Sequence, residues 1–417
     1  MFDLAVVGLG YVGLPLAVEG SRSGLRVAGL DVSESVIAGL RDGTSHIDDV
    51  SDDDIAEALA AGFTPTTDPG VLGEAAAIVI AVPTPLRGHV PDLSMVEAAA
   101  LAIGAHLRPD RLVVLESTTY PGTTEEVVQP ILEEQSGLKA GADFFLAFSP
   151  ERIDPGNETW TLRNTPKVVG GIDAASTERA ATLYRRVCDR VVPVGGTREA
   201  EMAKLLENTY RHVNIALMNE MAVFCDELGI DIWEVIAAAA TKPFGFQAFY
   251  PGPGVGGHCI PVDPNYLSYR VRELGYQFRF VELAQEINDR MPRYVIDRVI
   301  ALLNDAEKPV KGSRILLLGA AYKPNVSDLR ESPALRVAEL LVERGAIVSF
   351  SDPLVETIDL PGGRLMQVDD PVAAAAESDL VVILTAHRAF DLPAITAAAP
   401  ATLDTRGVTE KGTAARL

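Results

Sequence analysis

The chain has 417 residues, 47% hydrophobic and 23% charged, a globular composition that excludes wholesale disorder. Lys and Arg total 36 against 58 Asp and Glu, and the formal net charge of −22 repels nucleic acid and anionic membranes, so neither is expected as a partner. No apolar run approaches the ~18 residues that span a bilayer, and Met1 leads straight into a strand-like run without a charged leader, so a cytoplasmic protein is expected.

The length predicts two or three domains. Residues 1–31 read strand, turn, helix, strand: residues 4–7 are apolar, Gly8-Leu-Gly10-Tyr-Val-Gly13 forms a glycine turn, an apolar-periodic helix follows, and residues 27–30 end in Asp31. Apolar runs at 77–82, 112–115 and 144–148 alternate with helical patterns, which argues a parallel sheet covered on both faces. The acidic run at 48–54 reads as a solvated loop entering a helix. From Glu199 to Gly229 the apolar residues Ala203, Leu206, Tyr210, Val213, Leu217 and Met221 recur at helical spacing, with Gly229 as a C-cap. More helix is expected at 232–241 and 281–303. Between them, residues 242–263 are too glycine-rich for a helix and too apolar for a linker, as functional loops are. After Pro309 the opening plan returns: a strand at 314–318 ending in Gly319, a helix over 333–344, and strands at 346–350, 380–384 and 402–403, with Asp352 just past the second strand of the repeat. The predicted fold is α/β. Two Rossmann-like, doubly wound parallel-sheet domains (1–197 and 309–417) are joined by a helical middle (198–308) with one long central helix.

Gly8, Gly10 and Gly13 make a GxGxxG between strand and helix, and Asp31 closes the next strand 18 residues after Gly13. That context marks a dinucleotide turn, with the pyrophosphate on the helix N-terminus and Asp31 on the ribose hydroxyls, favouring NAD over NADP. Asp31 as a helix N-cap is the alternative.

Three cysteines, Cys188, Cys225 and Cys259, imply neither a disulfide framework nor a CxxC metal site, and no metal is expected. Cys188 and Cys225 sit in apolar helical settings. Cys259 follows Gly256-Gly257-His258 and precedes Pro264, which suits a first helical turn capped by Asp263. It reads either as a thiolate nucleophile or as a small buried hydrophobe. Lys204 and Asn208, four apart, share one helix face, functional or merely solvated. Glu151 and Thr118 lie just past apolar strands, where α/β enzymes place ligands, though each could equally be a cap or turn residue. Lys323 and Arg330 follow the strand at 314–318, where cations suit a diphosphate; a surface ion pair with Asp328 or Glu331 is the alternative. Gly319-Ala-Ala-Tyr-Lys-Pro stands where a glycine fingerprint would be, so this domain is not expected to take a dinucleotide the same way.

Six motifs in order carry a resemblance: GLGYVGLP from Gly8, ESTTYPGTTEE from Glu116, SPERIDPGN from Ser149, KLLENTYRHVNIALMNE from Lys204, PGPGVGGHCIPVDP from Pro251 and GAAYKPNVSDLRESPA from Gly319. Essentially end to end, the chain resembles the UDP-glucose/GDP-mannose dehydrogenase family, nearest its UDP-N-acetylglucosamine 6-dehydrogenase branch. The resemblance implies an NAD-dependent, four-electron oxidation at C6 of a UDP-hexose. Cys259 would be the nucleophile, Lys204, Asn208 and Asp263 would surround the reacting carbon, and Glu151 and Thr118 would complete the catalytic set. It places NAD against Gly8, Gly10, Tyr11, Val12, Gly13, Asp31, Pro83, Thr84, Thr118 and Arg330. It places the UDP-sugar against Glu151, Arg152, Lys204, Asn208, Arg211, Phe249, Tyr250, Gly254, Gly256, Gly257, His258 and Lys323. It makes the long helix a homodimer interface. Val262, and Ser117-Thr-Thr-Tyr-Pro-Gly-Thr123, depart from UDP-glucose dehydrogenases and point away from UDP-glucose. A two-electron alcohol dehydrogenase and a silent nucleotide-sugar binder are the rival readings; the complete Lys204, Asn208, Cys259 and Asp263 set argues against both.

Overall fold

The computed structural model describes residues 1–87, 90–154, 156–157, 159–257 and 259–417, the side chains of Arg87, Cys259, Pro261 and Val262 excepted. It forms two compact units, Met1–Glu207 with Asn265–Tyr276, and Asn208–Pro264 with Gln277–Leu417.

The first unit is built on eight strands: β1 Phe2–Val7, β2 Val27–Leu30, β3 Thr64–Thr66, β4 Ala75–Ile80, β5 Leu112–Leu115, β6 Phe145–Phe148, β7 Lys167–Gly171 and β8 Val191–Pro193. Their spatial order is β3-β2-β1-β4-β5-β6-β7-β8. Alternate residues enter opposite cores: Leu4, Val6, Val79 and Val114 on one face, Ala5, Val7, Ile78, Ile80 and Val113 on the other. Burial on both faces explains why these strands read as unbroken apolar runs. One pairing departs from the expected parallel sheet. β7 runs antiparallel to β6, with Ala147 opposite Gly171 and Phe148 opposite Gly170. No helix is found between them among the described residues, and a strand reached without a crossover helix returns antiparallel.

The second unit holds a five-stranded parallel sheet: β9 Arg314–Leu318, β10 Ile347–Ser351, β11 Leu380–Ile383, β12 Thr402–Asp404 and β13 Ala415–Arg416, in the order β10-β9-β11-β12-β13.

Three helices matter for the site. α1 is Gly13–Arg22, α2 is Thr197–Glu227, and α3 is Cys259–Glu273. Just past α2, Gly229 takes φ +67 and Ile230 donates back to the Cys225 carbonyl at 2.7 Å, so the glycine stops the helix as expected. The inward face of α2 is unusual. Glu201, Lys204, Asn208, His212 and Asn219 are buried, while Leu206, Tyr210 and Leu217 are exposed. The periodicity that announces this helix therefore belongs largely to its outer face. α3 corrects an expectation: it begins at Cys259, and Pro264 lies inside it, so Asp263 is a buried helical residue rather than a cap. Pro261 falls in the first turn, where an N–H has no intrahelical partner to lose, and the helix tolerates Pro264 one turn later. Among the described residues no helix is long and apolar enough to cross a membrane.

Candidate active site

The strand order of the first sheet reverses between β1 and β4, the crevice where doubly wound folds bind ligands. β1 feeds the glycine turn there. Gly8 sits at φ +91, and a Cβ on it would lie 2.7 Å from the Ala81 carbonyl oxygen; one on Gly13 would lie 1.8 Å from the Gly8 carbonyl oxygen. A Cβ on Gly10 would meet nothing within 4 Å. Gly8 and Gly13 thus hold the turn shut on itself, while Gly10 leaves a bare backbone facing open space. Tyr11 is half-buried, and Val12 precedes α1 without a side-chain cap hydrogen bond to the helix N-terminus. Asp31 accepts from Leu9 N–H and Ser33 N–H, both at 2.9 Å. Ser33, not Asp31, caps the next helix, accepting from Val36 N–H. Beyond β4, Pro83 is exposed and Thr84 buried, its carbonyl accepting from the Tyr266 hydroxyl. A tight turn, an uncapped helix start and a carboxylate at the end of β2 fit a dinucleotide whose 2′-hydroxyl is unphosphorylated.

At the carboxyl ends of β5 and β6 lies a buried ionic cluster. Lys167 Nζ is 3.0 Å from Glu116 Oε1 and 3.1 Å from Glu151 Oε2. The Tyr184 hydroxyl donates to Glu116. Glu151 Oε1 accepts from Arg152 and Ile153 N–H, both at 2.6 Å, and Lys204 Nζ donates to the Glu151 carbonyl at 2.6 Å. Burial pushes the Glu151 carboxyl up, but Lys167 and the backbone donors overcome this and hold it below the usual carboxylate range. Burial raises Glu116, and the charge on Glu151 raises it further against the pull of Lys167. The Cys188 thiol is pushed up to about 12, chiefly by burial, which makes it inert. Thr118 is half-buried two residues beyond Glu116. Arg152 turns its guanidinium to Glu207, at 2.7 and 3.2 Å, and to the Pro166 carbonyl at 2.6 Å. Sequence reasoning passed over Lys167 and Tyr184. The one signal was a lysine directly ahead of the apolar run Val168-Val-Gly-Gly171.

In the second unit the Asn208 side-chain amide donates to Asp263, both residues buried. Cys259 is the first residue of α3; its side chain, and His258, lie outside the described residues. The loop before α3 is pinned at several points. Phe249 meets Tyr210 edge-on with ring centroids 5.5 Å apart, and Tyr250 stacks on Trp233 at 5.8 Å. Gly252 N–H donates to Asn219, whose amide donates to Asn288, both at 2.9 Å. Asn288 in turn lies 3.5 Å from His212, which burial depresses to about 4 and keeps neutral. Gly254 takes φ +133, and a Cβ on Gly256 or Gly257 would strike Tyr322 at 2.7 Å. Gly257 N–H donates to the Arg330 carbonyl at 2.9 Å. The Arg330 guanidinium forks onto Asp328 at 2.6 to 3.0 Å, the ion-pair arrangement. Lys323 is half-buried and Arg211 exposed. Arg406, which sequence reasoning missed, lies just past β12, donates to the Leu384 carbonyl at 2.6 Å and would meet a Cβ on Gly252 at 2.8 Å. Burial lowers its pKa to about 10.

The second sheet copies the dinucleotide turn and then closes it. Gly319 takes φ +84 against Thr385 as Gly8 does against Ala81, and Asp352 accepts from Ala320 N–H and Leu354 N–H as Asp31 does from Leu9 and Ser33. Asp352, however, is wholly buried, with His387 Nε2 at 3.0 Å. An acid occupied in this way cannot reach a ribose.

Models of one family match the chain in three consecutive segments. The NAD-binding domain of the UDP-glucose/GDP-mannose dehydrogenase family covers residues 2–188, its central domain 198–290, and its UDP-binding domain 316–411. The chain belongs to this family. As a member it is an oxidoreductase, an NAD-dependent dehydrogenase of nucleotide sugars. It is 41% identical to protein CapL of Staphylococcus aureus across 84% of this chain and 82% of that one. It is 38% identical to the UDP-N-acetyl-D-glucosamine 6-dehydrogenase of Pseudomonas aeruginosa, across 93% and 91%. Among solved structures, the UDP-D-ManNAc dehydrogenase of Pyrococcus horikoshii superposes with a TM-score of 0.89 at 34% identity, across 98% of this chain and 96% of that one.

Proposed function

We propose that this family member oxidises the C6 alcohol of a UDP-hexose to the carboxylate in two successive two-electron steps, with UDP-N-acetylglucosamine as substrate and Cys259 as covalent nucleophile. The observation that carries the reading is the buried polar face of α2. Lys204 and Asn208 lie one turn apart there, Lys204 donating to Glu151 and Asn208 to Asp263. Burying an ammonium and an amide is costly without a role for them. Val262 and the 117–123 segment favour an N-acetylated hexose over UDP-glucose, and relatives named for N-acetylated sugars support that choice.

The Gly8–Gly13 turn and Asp31 would hold NAD, which would supply the hydride acceptor for each oxidation. Lys204 and Asp263 hold the water that takes the alcohol proton. Cys259 opens α3, where helix N–H groups and the dipole favour a thiolate. Its sulfur adds to the aldehyde carbon and the carbonyl oxygen is protonated, giving a thiohemiacetal. Loss of the second hydride leaves a thioester. Water then adds, the C–S bond breaks and the thiolate is restored. Lys204 and Asn208 donate to the oxyanions, each contributing ~3 kcal/mol. Glu151, kept ionised, steers the hydrolytic water together with Thr118. Per sugar, two NAD⁺ and one water are consumed, and two NADH, one carboxylate and three protons form. Phe249, Tyr250 and the glycines at 254, 256 and 257 wrap the nucleotide, and Lys323 and Arg406 neutralise the diphosphate. The enzyme acts as a cytoplasmic homodimer joined along α2.

End-point NADH is measured with limiting UDP-N-acetylglucosamine, and in parallel with UDP-glucose, UDP-N-acetylgalactosamine and UDP-N-acetylmannosamine. About two NADH per sugar are expected, and the sugar that supports them is the substrate. One NADH would mean release at the aldehyde and would remove Cys259 from the scheme. Cys259→Ser should bind the sugar nucleotide normally and fail to turn over.

A further inference from the structure

Lys167 is the first residue of β7, and the antiparallel register of β7 against β6 carries it past Ser149 to the side of Glu151. In a parallel strand the first residue would sit at the opposite, amino end of the sheet, away from the ligand edge. The antiparallel return therefore delivers an ammonium to the carboxyl edge. There the side chains of Lys167, Glu116 and Glu151 are only 4%, 0% and 9% exposed.

Two carboxylates share this one ammonium, and they are not equivalent. Glu151 receives Lys167 on one oxygen and two backbone N–H groups on the other. Glu116 receives Lys167 and Tyr184 on the same oxygen, and its second oxygen has no hydrogen-bond partner among the described residues. Donors on both oxygens favour the anion at Glu151, whereas a buried orphan oxygen disfavours it at Glu116. The directions of their pKa shifts agree with that division, and environments that push two neighbouring acids apart mark acid–base machinery. The residue that Lys167 clamps by its carboxylate also supplies, through its carbonyl, the acceptor for Lys204 Nζ. The other groups facing Lys167 are Tyr184, whose ring centroid is 5.3 Å from Nζ, and the Cys188 thiol.

We propose that Lys167 is a positioning residue for the oxidation, holding the Glu151 carboxylate ionised and in place and, through the Glu151 carbonyl, aiming the Lys204 ammonium. This role rests on the four-electron reading above, in which Lys204 and Glu151 act at the reacting carbon. The test is kcat and KM against pH for the wild type, Lys167→Arg, Lys167→Met, and Lys167→Met combined with Glu116→Gln. In Lys167→Met, kcat should fall about tenfold to a hundredfold, with KM for the sugar nucleotide within about threefold of wild type. The acid limb of the kcat profile should move up by about one pH unit or more, because Glu151 has lost its cation. Lys167→Arg keeps the charge and should recover most of the rate and the original limb. The double variant serves if Lys167→Met alone strands too much buried negative charge to fold; it leaves Glu151 as the sole acid and should show the same shift. A wild-type acid limb in the folded methionine variants, whatever their rate, overturns the role of Lys167 alone. Absence of NADH formation by the wild type with every UDP-hexose overturns the functional reading, and this role with it.

Discussion

At the residue scale the three fingerprint glycines are separable by what a methyl group would meet. At Gly13 it would strike the Gly8 carbonyl oxygen at 1.8 Å, and at Gly10 it would enter open space. Gly13→Ala should therefore destabilise the fold by about 1–3 kcal/mol through backbone displacement. Gly10→Ala should leave thermal stability within about 0.5 kcal/mol of wild type while weakening NAD binding about tenfold or more, on the reading that the pyrophosphate enters the open space beside it. Thermal melts beside NAD titrations distinguish the two; equal loss of stability in both variants would refute the division. The same contrast shows what a sequence discloses at this scale. The turn glycines Gly8 and Gly13, and the place of Asp31 at the end of β2, were legible because spacing along one strand–turn–helix dictates that local geometry. Lys167 and Arg406 were not, because their partners are set by a strand's direction and by a loop from elsewhere in the chain.

At the scale of elements, helices and strands were readable from periodicity, but two structural choices were hidden. The direction of β7 went with the absence, among the described residues, of a crossover helix, and the start of α3 was masked by two prolines. The long helix was plain, yet its polar residues face inward, and one of them, Glu201, organises a second element. Its carboxylate accepts from Gly122 N–H at 2.6 Å, Thr124 N–H at 2.9 Å and the Thr124 hydroxyl at 2.7 Å, at the start of the π-turn Thr124–Val128. Burial nevertheless dominates these donors and raises Glu201 from 4.5 to about 7. A raised acid holds its proton longer in the folded state, so its contribution is full below pH 4.5 and is lost as pH rises through about 7. His212 acts in the opposite sense. Its depressed value of about 4 against 6.5 adds stability as pH rises through that window, so the melting profile of the wild type is blunted. The difference profile is the clean readout: the melting temperature of Glu201→Gln minus that of wild type should climb between about pH 5 and about pH 8. A flat difference would show that Glu201 titrates normally.

For the whole molecule, charge and exposed apolar surface oppose one another. Each copy carries −22, which resists self-association. Yet Met202, Leu206, Tyr210, Leu217 and Phe224, four or seven apart along α2, are between 38% and 60% exposed. A continuous apolar stripe on a helix is ordinarily covered, and a two-fold interface would cover it with its own copy. If the dimer is held by this stripe against net repulsion, it should tighten as salt screens the charge. The Debye length falls from ~30 Å at 0.01 M to ~8 Å at 0.15 M, so the dissociation constant should drop across that range. Leu206→Glu combined with Leu217→Glu removes two apolar side chains of about 1.5–3 kcal/mol each and adds like charge, and each change counts twice across a two-fold axis. Sedimentation equilibrium should then return 44.4 kDa for the variant at every salt concentration and twice that for the wild type. A wild type that stays at monomer mass defeats the dimer, and a variant that stays dimeric moves the interface off α2.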